Sequence, residues 1–364
     1  MSSYKQPRIM VMAVSLTAAL ALSLAACGGS SAPGGGGSAG GSSAPGGGGS
    51  AASATVSIMT DYLPNGKYAP LVVAQKEQLY SKQALNVTII PGKGSTLTAQ
   101  AVANGQVNFG IVYDAVYALA VAKGEPIVSV GQYDAGSTFG FFVPKDSNIT
   151  SIADLAGHKV IIAPGTPQAL VLDGVFSLAG ISPSSVQRLS LAPAVADSAY
   201  VSGTGDALAE ELTYAPLIQP KRPSRALPWA AVGFQLPDYS IVVNQSYLQA
   251  HKDVVARFLK ATYQGITDAL ADPSRAVAGY AADNPTLQTD VIAGEFNNMS
   301  PYWCSTAMQK AGEVYGYHNG AAWTAGVSLL QKVAGLSSSI SAGNLYTNIF
   351  FESPYLVSTV KCQA

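Results

Sequence analysis

The residues best equipped for reactive chemistry are few in this chain and poorly spaced for it. Its three histidines, His158, His251 and His318, lie far apart and at no metal-ligand spacing. Its three cysteines, Cys27, Cys304 and Cys362, include no CxxC pair. There is no serine elbow, no HExxH and no phosphate-binding glycine loop. Gly203-Thr204-Gly205 lacks a third glycine and reads as a turn. A hydrolase needs a nucleophile held against a base, so the expectation is a protein that is not an enzyme, with no cofactor and no metal site. A different set of groups recurs instead. The carboxylates Asp61, Asp114, Glu210 and Glu211 stand among the rings of Tyr62, Tyr113, Tyr133, Phe139 and Tyr214. Flat rings beside carboxylate and amide acceptors suit a neutral or cationic heterocycle bearing N–H donors, held by stacking and hydrogen bonds. Tyr117 and Tyr133 read at least as well as core residues.

Cations are sparse around these acids. Lys67 and Lys93 are the only ones in the loops concerned, and long lysines in turns are expected to be solvated. A bound oxyanion would be expected to meet arginine forks as well as helix N-termini. The pattern therefore favours an aromatic or amine-bearing small molecule, and a small anion is the alternative.

The elements that must position these groups alternate. Val56–Thr60, Val87–Ile90, Val107–Ile111 and Ile127–Gly131 read as strands; Tyr68–Leu79, Thr96–Asn104 and Ala115–Lys123 read as helices between them. A second set follows: strand Lys159–Ala163, helix Gln168–Ala179, strands Val186–Leu191 and Ala207–Leu212, and a last short strand at Ile241–Val243. Beyond it the pattern is helical, over Gln245–Ala271, Ser274–Asn284, Thr306–Gly316 and Thr324–Gly335. This is an α/β fold of mostly parallel sheets in two lobes, with Phe139–Pro144 and Phe234–Ser240 as the crossings. The expected division is 55–140 for the first part of lobe one, 141–236 for lobe two, and 237–364 for the return to lobe one and the C-terminal helices. Ligands of such sheets sit beyond the C-terminal ends of strands, where helices begin. The loops there contain Asp61, Tyr62, Asn65, Gly94, Ser95, Tyr113 and Asp114 from lobe one, and Thr166 and Gln168 from lobe two, with Phe139, Glu211 and Tyr214 close by. These are the candidate ligand-binding residues. Ser95, Asp114 and Thr166 read individually as helix N-caps.

The N-terminus carries an address. Lys5 and Arg8 precede an apolar run from Ile9 to Ala26, the pattern of a secretory signal. Residues 1–26 are read as that signal and 27–54 as Cys27 plus a linker. Ser30–Ala39 and Ser42–Ala51 are the same ten residues, SSAPGGGGSA, a Gly/Ser coil that would average roughly 30 Å from end to end. The folded body, from Thr55 on, is long enough for two lobes. The net charge of −1 gives no reason to expect nucleic acid as a partner. With Cys27 set aside, an exported chain is expected to join Cys304 to Cys362 as a disulfide; two buried free thiols is the other reading.

Several stretches carry resemblances. Leu24-Ala25-Ala26-Cys27 resembles the lipobox of bacterial lipoproteins, in which the cysteine is lipidated and becomes the new N-terminus. MTDYLPNGKYAPLVVAQKEQLYSKQALNVTII (59–90), GKGSTLTAQAVANGQVNFGIV (92–112) and VVARFLKATYQGITDALADPSRAVAGYAADNP (254–285) resemble, in order, segments of the NMT1/THI5-like and nitrate/sulfonate/taurine group of solute-binding proteins. The resemblance runs over nearly all of Thr55–Phe351. It implies a type II periplasmic-binding-protein fold that closes by a hinge on a small molecule. It also implies delivery to an ABC permease with its ATPase, and a monomer; the lipobox resemblance implies a lipid anchor on the outer face of a bacterial membrane. A pyrimidine-precursor branch of the group often shows D-W-x-P-N-x-x-H-x-G; here Tyr62 stands for the Trp and Tyr68 for the His. An aromatic platform is kept, and a pyrimidine-precursor-like nutrient is the favoured ligand. A sulfonate, taurine or nitrate, or a sensor role on the same fold, are the alternatives. Fungal enzymes of the family depend on a cysteine- and histidine-based site that this chain does not reproduce.

Overall fold

The computed structural model describes residues 52–362. The expected signal segment, Cys27 and all but the end of the linker lie outside the described residues. Strands run in the order β1 (Ala54–Met59), β2 (Leu85–Ile90), β3 (Phe109–Tyr113), β4 (Ile127–Asp134), β5 (Phe139–Pro144), β6 (Lys159–Ile162), β7 (Gln187–Ser190), β8 (Ala207–Glu211), β9 (Ser224–Pro228) and β10 (Tyr239–Asn244). They form two five-stranded sheets, ordered β2-β1-β3-β10-β4 and β7-β6-β8-β5-β9. The mixed α/β architecture is the two-lobed one expected.

The sheets are mixed where mostly parallel ones were expected. In the first, β2, β1 and β3 are parallel, and β10 is antiparallel to both β3 and β4. In the second, β7, β6 and β8 are parallel, and β5 is antiparallel to both β8 and β9. Each antiparallel strand is the first the chain makes after arriving from the other lobe. Phe139 opens β5 opposite Glu211, and Tyr239 opens β10 opposite Tyr113. The crossings therefore lie just before these strands, and Phe139–Pro144 is a strand of the second sheet, not a connection. Three bonds lace the crossings together: Thr138 N donates to Asp238 Oδ2 at 3.0 Å, Tyr239 N to Asp134 Oδ1 at 3.2 Å, and Asp114 N to Asp238 O at 2.8 Å.

Local chemistry explains the other differences. β3 begins at Phe109, two residues late, because Gln106 N and Val107 N turn back to Ala101 O and close the preceding helix, Ser95–Ala103. The helix expected over Gln245–Ala271 is two, Gln245–Ala250 and Lys252–Ala271, broken at His251, whose φ of −134° is not helical. The helix from Thr306 stops at Ala311, where Gly312 takes φ +67°. β9 and the helix Thr289–Met299 were not expected. The helices Lys252–Ala271 and Pro273–Asp283 bury apolar faces on the first lobe. The C-terminal segment also lies on that lobe: Ser129 N donates to Leu345 O, and Thr347 N to Ser129 O. The sulfurs of Cys304 and Cys362 are bonded, with Cα atoms 5.7 Å apart. Among the described residues no helix is long and apolar enough to cross a membrane.

Candidate functional site between the lobes

The mouth of the first lobe is built by three turns. After β1 the chain forms a single 3-10 turn, Gly66–Tyr68, capped by Asn65, whose side chain accepts from Lys67 N at 2.9 Å. Tyr133 OH donates to Lys67 O at 2.6 Å, and Gly66 N donates to Glu295 Oε2 at 2.8 Å, so this turn is fixed on both sides. After β2, Gly94 takes φ +124°, and a Cβ there would stand 2.8 Å from Gly165 O of the second lobe. A side chain would force the lobes apart at that point. After β3, Asp114 opens the helix Asp114–Ala122.

Two of the three cap assignments fail, and the third holds in position only. Ser95 is the first residue inside its helix, and its Oγ accepts from Tyr113 N at 3.1 Å, tying the second turn to the third. Asp114 Oδ2 accepts from Gln132 Nε2 at 2.9 Å. Thr166 sits at the N-cap of Pro167–Leu178, but its hydroxyl donates back to Ala163 O at 2.6 Å and caps nothing.

Lobe two meets these turns closely. Tyr62 leaves its own lobe and packs in the apolar cluster of Phe142, Ile161, Leu208, Tyr214 and Ile218. Its ring meets Tyr214 edge-on, centroids 6.4 Å apart. Gln168 Nε2 donates to Glu210 Oε1 at 2.8 Å. The floor is aromatic: Tyr113 contacts Phe139 and Tyr239 edge-on at 4.9 and 5.5 Å, and Phe139 stacks on Trp229 at 5.5 Å. Phe139 thus supports Tyr113 from below.

The expectation for Lys67 fails. It is 1% exposed, and its Nζ lies 2.7 Å from Glu211 Oε2 and 3.3 Å from Asp61 Oδ1. It stands 4.1 Å over the Tyr239 ring and 5.3 Å from that of Tyr68. Tyr68 OH donates to Asp61 Oδ1. Burial alone would lower the Lys67 pKa, but the charges of Asp61 and Glu211 outweigh it and raise it, so the ammonium stays charged. Lys93 is exposed, as expected.

Around this single ammonium the site is acidic. Asp61, Asp114, Asp134, Glu210, Glu211, Asp238 and Glu295 are all buried, and Lys67 is the only buried lysine or arginine among the described residues. Burial pushes Asp114 up to about 8 and Glu295 up to about 8. It holds Glu210, Asp134 and Asp238 well above the carboxylate range, each against its acidic neighbours. Glu211 is raised too, burial outweighing Lys67. Polar atoms buried in the site without a partner include Tyr62 OH, Asn65 Nδ2, Tyr113 OH, Gln168 Oε1 and Tyr214 OH, besides one oxygen each of Asp114, Asp134 and Asp238. Such groups are costly unless something bonds them.

All twelve candidate residues are therefore in or beneath this interface, though Ser95, Thr166 and Phe139 support it through internal bonds and packing. The sequence reading missed Lys67, Gln132, Asp134, Asp238, Tyr239 and Glu295. Asp238 and Tyr239 end a crossing that the reading had drawn, so counting polar residues at crossings would have found them. Glu295 lies on the unexpected helix Thr289–Met299 and carried no signal.

Comparison with known proteins bears on family and fold. The family model described as NMT1/THI5 like matches residues 65–276. The 4-amino-5-hydroxymethyl-2-methylpyrimidine phosphate synthase of Legionella pneumophila is 25% identical over 256 residues, 69% of this chain and 80% of that protein. The formylaminopyrimidine-binding protein of Halalkalibacterium halodurans is 26% identical over 233 residues, 62% of this chain and 69% of that protein. Among solved structures, the alkanesulfonate-binding protein SsuA from Xanthomonas axonopodis pv. citri, bound to MOPS, superposes with a TM-score of 0.65. It shares 19% identity, over 82% of this chain and all of that one. That likeness is one of fold. With the family model covering more than half of its length, the chain belongs to the NMT1/THI5-like family and has the two-lobed periplasmic-binding-protein fold.

Proposed function

We propose that this protein is an extracytoplasmic solute-binding lipoprotein. In this reading it captures a small nitrogen-bearing aromatic molecule, of the pyrimidine-precursor kind, by closure of two lobes, and passes it to an ABC permease and its ATPase. The observation that carries the ligand class is the set of buried, unpartnered groups, Tyr62 OH, Asn65 Nδ2, Tyr113 OH, Gln168 Oε1 and Tyr214 OH, contributed by both lobes among carboxylates and rings. Of these, Gln168 Oε1 accepts, Asn65 Nδ2 donates and the three phenols do either; an amino-substituted nitrogen heterocycle carries both N–H donors and ring-nitrogen acceptors to meet them, and stacks on the rings. A sulfonate or nitrate would meet carboxylates kept neutral only by burial, and no buried arginine among the described residues. The names of the two pyrimidine-linked relatives support the same class. Export and anchoring are supported by the n-region, apolar run and Leu24-Ala25-Ala26-Cys27.

No reaction is needed. A ligand held by one lobe makes its remaining contacts only when the other closes, and so shifts an open–closed equilibrium. The Legionella relative is named as a synthase, but here Cys304 and Cys362 are joined to each other, and His318 is buried between Ser129 and Asn348. The test is a thermal-shift screen of the full chain against aminopyrimidines, flavins, polyamines, sulfonates and nitrate. A ligand at a hundred times its Kd should stabilise by about 2.7 kcal/mol. Stabilisation by a nitrogen-bearing ring is expected; stabilisation by sulfonate or nitrate alone, or conversion of the ring to a product, overturns the proposal.

A further inference from the structure

Lys67 answers to a description of a ligand as well as of a residue. Its ammonium lies between a carboxylate of its own lobe, Asp61, and one of the other, Glu211, and over the face of Tyr239 at the hinge. Two carboxylates and a ring face are what a protein uses to recognise an alkylammonium. The backbone that carries Lys67 is pinned by Asn65, Tyr133 and Glu295, whereas the four-carbon stem is flexible and can withdraw without moving that turn. The cage exists only while the lobes are together, because Asp61 and Glu211 belong to different ones. Elsewhere in the same interface Tyr62 OH, Tyr214 OH and Gln168 Oε1 are without partners. Those atoms also come from both lobes, as a ligand held between the lobes beside the cage would require.

We propose that Lys67 is an internal occupant of a cation subsite: its ammonium fills the Asp61–Glu211–Tyr239 cage when the lobes close without ligand, and the protonated nitrogen of the ligand displaces it. This rests on the proposed function and sharpens it, since the subsite takes a primary ammonium or a protonated ring nitrogen. Self-occupancy is a competing equilibrium, so apparent affinity falls by the fraction of molecules in which the cage is free. Removing the ammonium should tighten binding of a cationic ligand. If Lys67 were an ordinary ligand contact or a structural strut, its loss would weaken binding.

The experiment supplies the missing side chain as a free molecule. In Lys67→Ala, which keeps Cβ, n-propylammonium replaces the three missing carbons and the charge; n-propanol replaces the carbons alone. Calorimetric titration should show n-propylammonium binding Lys67→Ala at least about tenfold more tightly than the unmutated protein, as nine-tenths self-occupancy requires, and n-propanol binding neither. Lys67→Met serves if the alanine variant does not fold: methionine ends one atom short of Nζ, so the ammonium ion itself takes the role of n-propylammonium. Equal affinity for the variant and the unmutated protein, or a preference for the alcohol, overturns the proposal. The two readings separate in a parallel titration with 4-amino-5-hydroxymethyl-2-methylpyrimidine. If that ring binds the unmutated protein and Lys67→Met equally, the proposed function stands and the displacement of Lys67 falls. If it and the other nitrogen-bearing rings fail to bind, while n-propylammonium still prefers Lys67→Ala, the subsite stands and the assigned ligand class falls.

Discussion

The two lobes repeat one topology and use it differently. In each, a parallel trio is followed by an antiparallel strand from the other lobe, with an edge strand outside it. The central strand nearest that insertion, β3 in one lobe and β8 in the other, ends at the interface; Glu211 is the last residue of β8, and Asp114 is the first residue after β3. The inserted strand opens opposite that end with an aromatic residue, Tyr239 or Phe139. There the likeness ends. Asp114 is held by an amide of its own lobe, Gln132, and burial lifts it to about 8. Glu211 is held by an ammonium from the opposite lobe. One carboxyl is a fixed, largely proton-bearing part of its lobe; its counterpart is complete only when the lobes meet. Carboxyls one position out of register at the same end of a repeated sheet can thus serve stability in one lobe and closure in the other.

The sharpest way to break this comparison is to truncate both acids. Glu211→Ala leaves a buried ammonium with Asp61 alone and should cost about 3 kcal/mol in urea denaturation, the usual scale for breaking a buried ion pair. Asp114→Asn, measured at pH 8, removes a carboxyl that must either hold its proton or ionise in a dry site. It should change stability by less than about 1 kcal/mol, or raise it. Comparable losses from both would mean that the two lobes hold their acids in the same way.

Next in size is pH dependence. Asp114 and Glu295 have folded pKa values raised to about 8 by burial, above those of the unfolded chain at about 4. Between these values the folded protein binds more protons, so stability falls as pH rises. Their contribution is complete below about pH 4 and lost progressively towards pH 8. Urea denaturation from pH 5 to pH 8 should show this decline, and Asp114→Asn with Glu295→Gln should flatten it. A rise in stability over the same range would show that these carboxyls are ionised in the fold.

Smaller still is the contrast between the two hydroxyl residues read as caps. Ser95→Ala leaves the buried Tyr113 N without its acceptor and should cost about 1–3 kcal/mol. Thr166→Ala removes a bond to a neighbouring carbonyl and no cap, and should stay within about 1 kcal/mol. Equal losses in denaturation would restore the cap reading for Thr166.

The sequence exposed the parts of this molecule that obey a local period. The strand–loop–helix alternation placed Asp61, Ser95, Asp114 and Thr166 at sheet ends, and it put Gly94 among the loop residues; the structure shows that Gly94 meets Gly165 O of the other lobe. It concealed what depends on the partner lobe. Lys67 in a turn between Gly66 and Tyr68 looks solvated until Glu211, far along the chain, is brought to 2.7 Å. Ser224–Pro228 has polar and proline residues because it is an edge strand, and so it escaped the apolar pattern. The antiparallel insertion of β5 and β10 follows from chain crossing, which no period of two or 3.6 records.

The central claim is that the acidic, aromatic interface closes on a protonated or N–H-bearing ring. Its most direct test is calorimetric titration of the unmutated protein and of Glu211→Gln with 4-amino-5-hydroxymethyl-2-methylpyrimidine and with ethanesulfonate. The account predicts saturable heat for the pyrimidine, at least about tenfold weaker binding in Glu211→Gln, equivalent to about 1.4 kcal/mol, and no binding of ethanesulfonate to either. Tight ethanesulfonate binding, or a pyrimidine affinity indifferent to Glu211, would contradict it.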